Sequence, residues 1–224
     1  MLTADTLVKF TRTGRRATQT DFVWPKPRTW APPVEGRLRQ CSNGYHVCRI
    51  ADCLPFTNEE LWLAEVREDQ KVFGAEVIAR ETRLLKQIKT WNPKTARLFA
   101  CDCAQRVWPI YQKLVPADKR PLVAIRVARK FALGLATQTE IAAAWDAARD
   151  AARNAARAAA GAAAGAAARA AARDAAGDAA GAAAGAAAWA ATGAAAGAAA
   201  GAAESKWQVK RLLRYLNGEL PCPR

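Results

Sequence analysis

Between Ile141 and Ala203 the chain is mostly alanine, interrupted at every fourth position. The row runs Ile141, Trp145, Arg149, Arg153, Arg157, Gly161, Gly165, Arg169, Arg173, Gly177, Gly181, Gly185, Trp189, Gly193, Gly197, Gly201, and holds no proline. Alanine is the best helix former, so helix is the expected conformation. A period of four overshoots the helical 3.6, so successive members drift about 40° and the row winds around the axis. As one rod the stretch would span on the order of 90 Å. Asp146–Arg149 and Asp150–Arg153 sit at i,i+3 spacing, which favours helix over a silk-like β arrangement.

Glycine argues against a lone solvated rod, because each one costs roughly 1 kcal/mol relative to alanine in a helix interior. Close helix–helix approach over a flat Gly/Ala surface is the physical offset. Gly161, Gly165, Gly177, Gly181, Gly185, Gly193, Gly197 and Gly201 are therefore the candidate helix-packing residues. They face either a hairpin partner within the chain or a second copy, and Gly177, Gly185 or Gly193 could instead mark turns between shorter helices. Ala179–Ala203 is uncharged and long enough to span a bilayer. It contains no Leu, Ile, Val or Phe, so its insertion drive is small and a membrane span is not expected.

The net charge is +14, and it is unevenly spread. Residues 1–140 carry 24 basic and 14 acidic side chains, whereas residues 141–203 carry 5 and 4. The basic character belongs to the front of the chain, where it could be a solvated surface or a nucleic-acid footprint. Met1–Phe10 includes Asp5 and Lys9 and does not read as a signal peptide. Reduced thiols in a host cytoplasm, or a place in a virion, are the expected setting for the six cysteines.

Residues 1–90 read as a small β-rich α+β head. Leu7–Phe10, Tyr45–Arg49, Leu61–Val66 and Ala75–Ile78 are its expected strands. Trp24-Pro25-Lys26-Pro27, Trp30 and Pro32-Pro33 demand extended backbone, with tryptophans over a core edge. His46 is the only histidine, and no nucleophile motif accompanies it. Its plain reading is a hydrogen-bonded strand residue. Gly44-Tyr45-His46 also resembles the strand signature of ADP-ribosyltransferase-like folds. That resemblance implies contact of His46 with an NAD ribose and catalytic help from a later-strand glutamate, for which Glu65 and Glu76 are positioned. Cys41, Cys48 and Cys53, close to His46, are candidate metal ligands, although their spacing is not that of standard zinc sites. No cofactor is expected.

Residues 91–224 read as a helical region in three parts. In 91–140, Trp91-Asn92-Pro93 opens a helix over Thr95–Leu114, which Pro109 should kink or interrupt. Pro116–Pro121 is a turn, and Leu122–Ala136 is a second helix with Arg126, Arg129 and Lys130 facing solvent. Thr137 or Thr139 then caps the 141–203 repeat. In 204–224 an amphipathic helix carries Val209, Leu212, Leu213 and Leu216, and ends at Asn217-Gly218.

Leu98-Phe99-Ala100-Cys101-Asp102-Cys103-Ala104, Asp118-Lys119-Arg120-Pro121 and Ala124-Ile125-Arg126-Val127-Ala128-Arg129 together resemble the Imm5-like immunity family. In that family an alanine-rich helical region follows the same two helices. The head, with Cys-x-Asn-Gly-Tyr-His-Val-Cys and a later Glu-Val strand, is similar to a domain of unknown function common in bacteriophage proteins. These resemblances imply a non-catalytic phage or prophage accessory protein. It would act through a protein partner or by self-association of Ala/Gly helices, with nucleic acid as a further candidate partner. The expected architecture is α+β: a β-rich head followed by an alanine/glycine-rich helical bundle or stalk.

Overall fold

The computed structural model describes residues 1–67, 69–158 and 198–220. Its order is β1 (Leu7–Thr11), β2 (Tyr45–Arg49), β3 (Glu60–Val66), β4 (Gln70–Phe73), β5 (Glu76–Ala79), β6 (Thr82–Gln87), α1 (Pro93–Leu114), α2 (Arg120–Ala132), α3 (Gln138–Ala158) and α4 (Ala198–Leu216). The fold is α+β, with a β-rich N-terminal module followed by helices. The strands form one antiparallel sheet in the order β4-β5-β2-β1-β3-β6.

Four of these strands match the expected hydrophobic runs. The other two, β4 and β6, pair at the ends of the sheet. Residues 70–72 of β4 are exposed, so no buried face imposes an apolar pattern on them. The Pro/Trp segment runs along β6, with the Arg28, Ala31 and Val34 amides donating to the carbonyls of Leu84, Thr82 and Arg80. A proline-rich stretch has few amides to offer, and here those it has cover a sheet edge. Trp24 and Ala31 are buried against Trp62 and Leu84. Trp30 lies between the guanidiniums of Arg67 and Arg83, 4.4 and 4.5 Å from its ring centroid.

The other face of the sheet meets the helices. Val8, Phe10, Cys48, Ile50 and Leu61 share one core with Phe99 and Cys103 of α1 and Leu212, Tyr215 and Leu216 of α4. That core therefore draws on residues from both sides of position 90. The chain ends are tied as well: Asn217 Oδ1 accepts from the Leu2 amide at 2.8 Å, and its Nδ2 donates to the Leu2 carbonyl at 3.1 Å.

Local rules account for the helix boundaries. Asn92 caps α1, its Oδ1 accepting from the Lys94 and Thr95 amides while Thr95 Oγ1 accepts from the Asn92 amide. Pro93 at the first helical position sacrifices no hydrogen bond. The helix continues through Pro109 to Leu114 and is not interrupted there. Gln105 and Pro109 are both exposed, so water can serve the carbonyl that proline leaves without an amide partner. Gly134, at φ +74°, ends α2 in a Schellman turn, with the Leu135 amide on the Lys130 carbonyl and the Gly134 amide on that of Phe131. Thr137 is the cap of α3: its Oγ1 accepts from the Glu140 amide, and Glu140 Oε2 accepts from the Thr137 amide.

Only the two ends of the alanine row, residues 141–158 and 198–203, fall within these elements. Ile141 packs against Cys101, Ala104, Ile125 and Ala128, so the row begins as a helix laid on α1 and α2. Gly161, Gly165, Gly177, Gly181, Gly185, Gly193 and Gly197 lie outside the described residues, and Gly201 falls in α4. Among the described residues no helix is long and apolar enough to cross a membrane.

Candidate functional site

β1 pairs with β3 through four residue pairs, but with β2 through only two, Leu7 with Arg49 and Val8 with Cys48. Beyond Val8 the next residues of β1, Lys9 and Phe10, line a cleft of about 870 Å³ together with Tyr45–Cys48 of β2. Its rim comes from the loops at 18–24, 40–44 and 55–57 and from the β4–β5 turn at 73–76. A cleft of this size suits a small organic molecule.

Gly44 enters β2 at φ +122°, where a side chain is strained. A Cβ there would also overlap the Ile78 Cγ2 methyl and come within 3.1 Å of Leu38 Cδ2. Gly44→Ala is therefore expected to lower unfolding free energy by about 1–3 kcal/mol, read by urea denaturation. An unchanged midpoint would show that this turn relaxes freely.

His46 sits one residue into β2, opposite Ile78 of β5. The Cys41 amide donates to its Nε2 at 3.2 Å, which requires that nitrogen to be unprotonated. Burial lowers the His46 pKa below its ordinary value of 6.5, and nearby Lys9 adds to this; Glu76 and a backbone hydrogen bond with Gly44 act the other way. The ring is thus neutral at pH 7, with its acceptor nitrogen occupied. Unfolded chain binds a proton here more readily than folded chain, so stability falls as pH drops below about 6.5 through the folded value. Because His46 is the sole histidine, its ring-proton NMR signal reports this group alone. Its midpoint is expected below 6.5; a midpoint above it would reverse the sign.

Of the two glutamates considered with His46, only Glu76 shares the cleft. It lies on β5 opposite Cys48, two register positions along from His46, and accepts from Gln40 Nε2 at 2.9 Å. Glu65 instead accepts two hydrogen bonds from Arg83, at 3.0 and 3.1 Å, beside Trp30. Cys41 is exposed at φ +56°, whereas Cys48 and Cys53 are buried. Burial pushes the Cys48 thiol up to about 12 and raises Cys53 well above the usual range, so both remain protonated. Among the described residues no group of three or more His, Cys, Asp or Glu is arranged to hold a metal ion.

Lys9 carried no motif in the sequence, yet it is the cation of this cleft. Its Nζ lies 5.9 Å from the centroid of the Trp24 ring. Burial lowers its pKa, against the attraction of Cys48 and Glu76. A strand position flanked by Val8 and Phe10 was the available signal.

A second polar centre ties the helices together. Asp102 on α1 is 8 % exposed. Its Oδ1 accepts from Arg129 of α2 at 2.8 Å, and its Oδ2 accepts from Arg211 Nε and Tyr215 Oη of α4, both at 2.7 Å. Arg129 does not face solvent with Arg126 and Lys130 as helical periodicity suggested; it is half-buried and turned to Asp102. Tyr215 is held in its phenol form, its pKa raised first by burial and then by the Asp102 carboxylate. Elsewhere, Ile110 near the end of α1 and Val123 near the start of α2 remain 44 and 47 % exposed.

The architecture is thus that of a strand-rich head joined to a helical region through a common core, with three helices pinned to one carboxylate. Residues 86–215 match the family described as Imm-5 like putative immunity protein, and the chain belongs to that family. The matched segment is more than half of the chain and contains all four members of the Asp102 cluster. No curated protein and no solved structure matches the chain.

Proposed function

We propose that the protein is a non-catalytic binding protein of the immunity type, whose helical region contacts a protein partner. Membership of the Imm-5 like family across residues 86–215 is the observation that carries this reading. The helical geometry suits it. Asp102 holds α1, α2 and α4 in one arrangement, and a preorganised surface binds with less loss of conformational entropy. Ile110 and Val123 offer exposed apolar contact area close to the α1–α2 turn.

Growth protection tests the proposal: the chain is co-expressed with the toxin of its own gene neighbourhood. Protection is expected for the natural protein and loss of protection for Val123→Arg at unchanged circular dichroism. A protein that gives no protection, and does not co-purify with that toxin, would sink the reading.

Self-association through the glycine row is the finer part of this proposal. Light scattering of the purified protein would then give a multiple of the 24.0 kDa chain mass. Gly181→Leu would return it to a monomer, and a monomeric natural protein would remove self-association from the account.

One observation favours an enzymatic second reading: His46 and Glu76 line the same cleft. That reading requires NAD consumption that His46→Ala abolishes in a folded protein. The Cys41 amide on His46 Nε2 weighs against it.

A further inference from the structure

The cleft between β1 and β2 has a polarity that its own residues do not satisfy. Lys9 contributes an ammonium, and among the described residues no carboxylate reaches it at ion-pair distance and no acceptor hydrogen-bonds it. The nearby carboxylate, Glu76, is engaged by Gln40. Trp24, whose ring lies beside the Lys9 ammonium, has a buried indole Nε1 with no acceptor either. An unanswered donor in a buried setting, as at the Trp24 indole, is costly and a native fold retains few of them; Lys9 is half-buried and lines the cleft.

Around these donors the wall is aromatic. Phe22, Trp24 and Tyr45 lie within 5.2–5.5 Å of one another, ring centroid to ring centroid, and all three line the cleft. Phe22 and Tyr45 are half-buried, so part of each ring is presented to the space. Phe56 and Phe73, also half-buried, line the cleft as well. Tyr45 Oη is spent on the Pro32 carbonyl, 2.8 Å away, which leaves its ring as the contact surface.

We propose that this cleft is a binding site for a small organic anion that carries a planar ring, with the anionic group on Lys9 and the ring against Phe22 and Tyr45. An acceptor entering here gives the Lys9 ammonium the partner that the chain does not. An anion also favours the charged form of the lysine, against the burial that lowers its pKa. The ring supplies the stacking and apolar contact that a bare anion lacks. The site is in the head, outside the matched 86–215 segment, and the proposal stands independently of the immunity reading.

Phenyl phosphate is the probe, titrated into the full-length protein and followed by amide NMR shifts at Gly44 and His46. Saturable binding is expected. Inorganic phosphate and phenol, each offering half of the recognition, are expected to bind at least about tenfold more weakly.

Lys9→Met keeps the apolar stem and removes the charge. It should weaken phenyl phosphate by about tenfold or more while leaving the fold intact by circular dichroism. Phe22→Leu, which keeps an apolar side chain, should weaken phenyl phosphate but leave inorganic phosphate unchanged. The proposal is overturned if phenyl phosphate does not bind, if it binds Lys9→Met as well as the natural protein, or if phenol binds as tightly as phenyl phosphate. Should either variant fail to fold, the comparison of the three probes on the natural protein decides alone.

Discussion

Asp102→Ala is expected to lower the free energy of unfolding by about 3–5 kcal/mol, the range for breaking a buried ion pair by removing one partner. The carboxylate is 8 % exposed and receives hydrogen bonds from two guanidiniums and a phenol. Truncation leaves those three donors facing a small cavity without an acceptor. The side chains of Arg129 and Arg211 retain 36 and 26 % exposure, so water recovers part of the loss and the effect belongs near the lower end. Tyr215→Phe removes a single charge-assisted bond and should cost about 1.5–3 kcal/mol. Urea denaturation of the three proteins measures both effects. A loss below about 1 kcal/mol for Asp102→Ala would mean that the cluster is ornamental and that α1, α2 and α4 are held by packing alone.

Phe99→Ala carries a comparable penalty, about 3–5 kcal/mol, for a different reason. Phe99 is fully buried on α1, in the core that joins Val8, Phe10 and Leu61 of the sheet to Leu212 and Leu216 of α4. Its ring meets Tyr215 edge-on at 6.4 Å between centroids. Because that core belongs to head and helices alike, the loss should be felt in both. The ring-proton NMR signal of His46, the sole histidine, reports the head, and far-UV circular dichroism reports mainly the helices. Both transitions should move to lower urea together and remain superimposed. A head transition that stays in place while the helical signal moves would establish two independently folding units.

The parts of this fold that follow local rules were legible in the residues. Asn92-Pro93 announced α1, Thr137, one of the two threonines expected there, opened α3, and Asn217-Gly218 closed α4, whereas α2 stops at Ala132, short of the expected Ala136. Each of those signals acts within one helical turn. Strands β1, β2, β3 and β5 were legible from their apolar runs; β4 and β6, at the two ends of the sheet, were not, β4 being largely exposed and β6 burying only Thr82 and Leu84. Pro109 does not interrupt α1, because proline's penalty depends on whether water can reach the carbonyl it strands, and helix position alone does not say so.

The cleft was half legible. Gly44-Tyr45-His46 drew attention to β2 as an unusual strand entry, and Glu76 was named with it. Lys9 passed as an ordinary strand residue, because its lack of an ion pair among the described residues is a property of what surrounds it and not of its neighbours in the chain. Arg129 passed as a surface cation for the same reason: its partner Asp102 lies 27 positions away, and Arg211 and Tyr215 lie 109 and 113 positions from that carboxylate.

By itself, then, the sequence determined four of the six strands, the caps that open α1 and α3, the Asn-Gly that closes α4, and the family to which the helical region belongs. Propensity, capping and short-range motifs are written in adjacent residues and need no knowledge of the rest of the chain. Only the tertiary structure decided that head and helices share one core, that a single carboxylate pins three helices, and that β1 and β2 line a cleft whose lysine forms no ion pair among the described residues. Those features depend on groups brought together from distant positions, where burial changes what a charge costs and which donors find an acceptor.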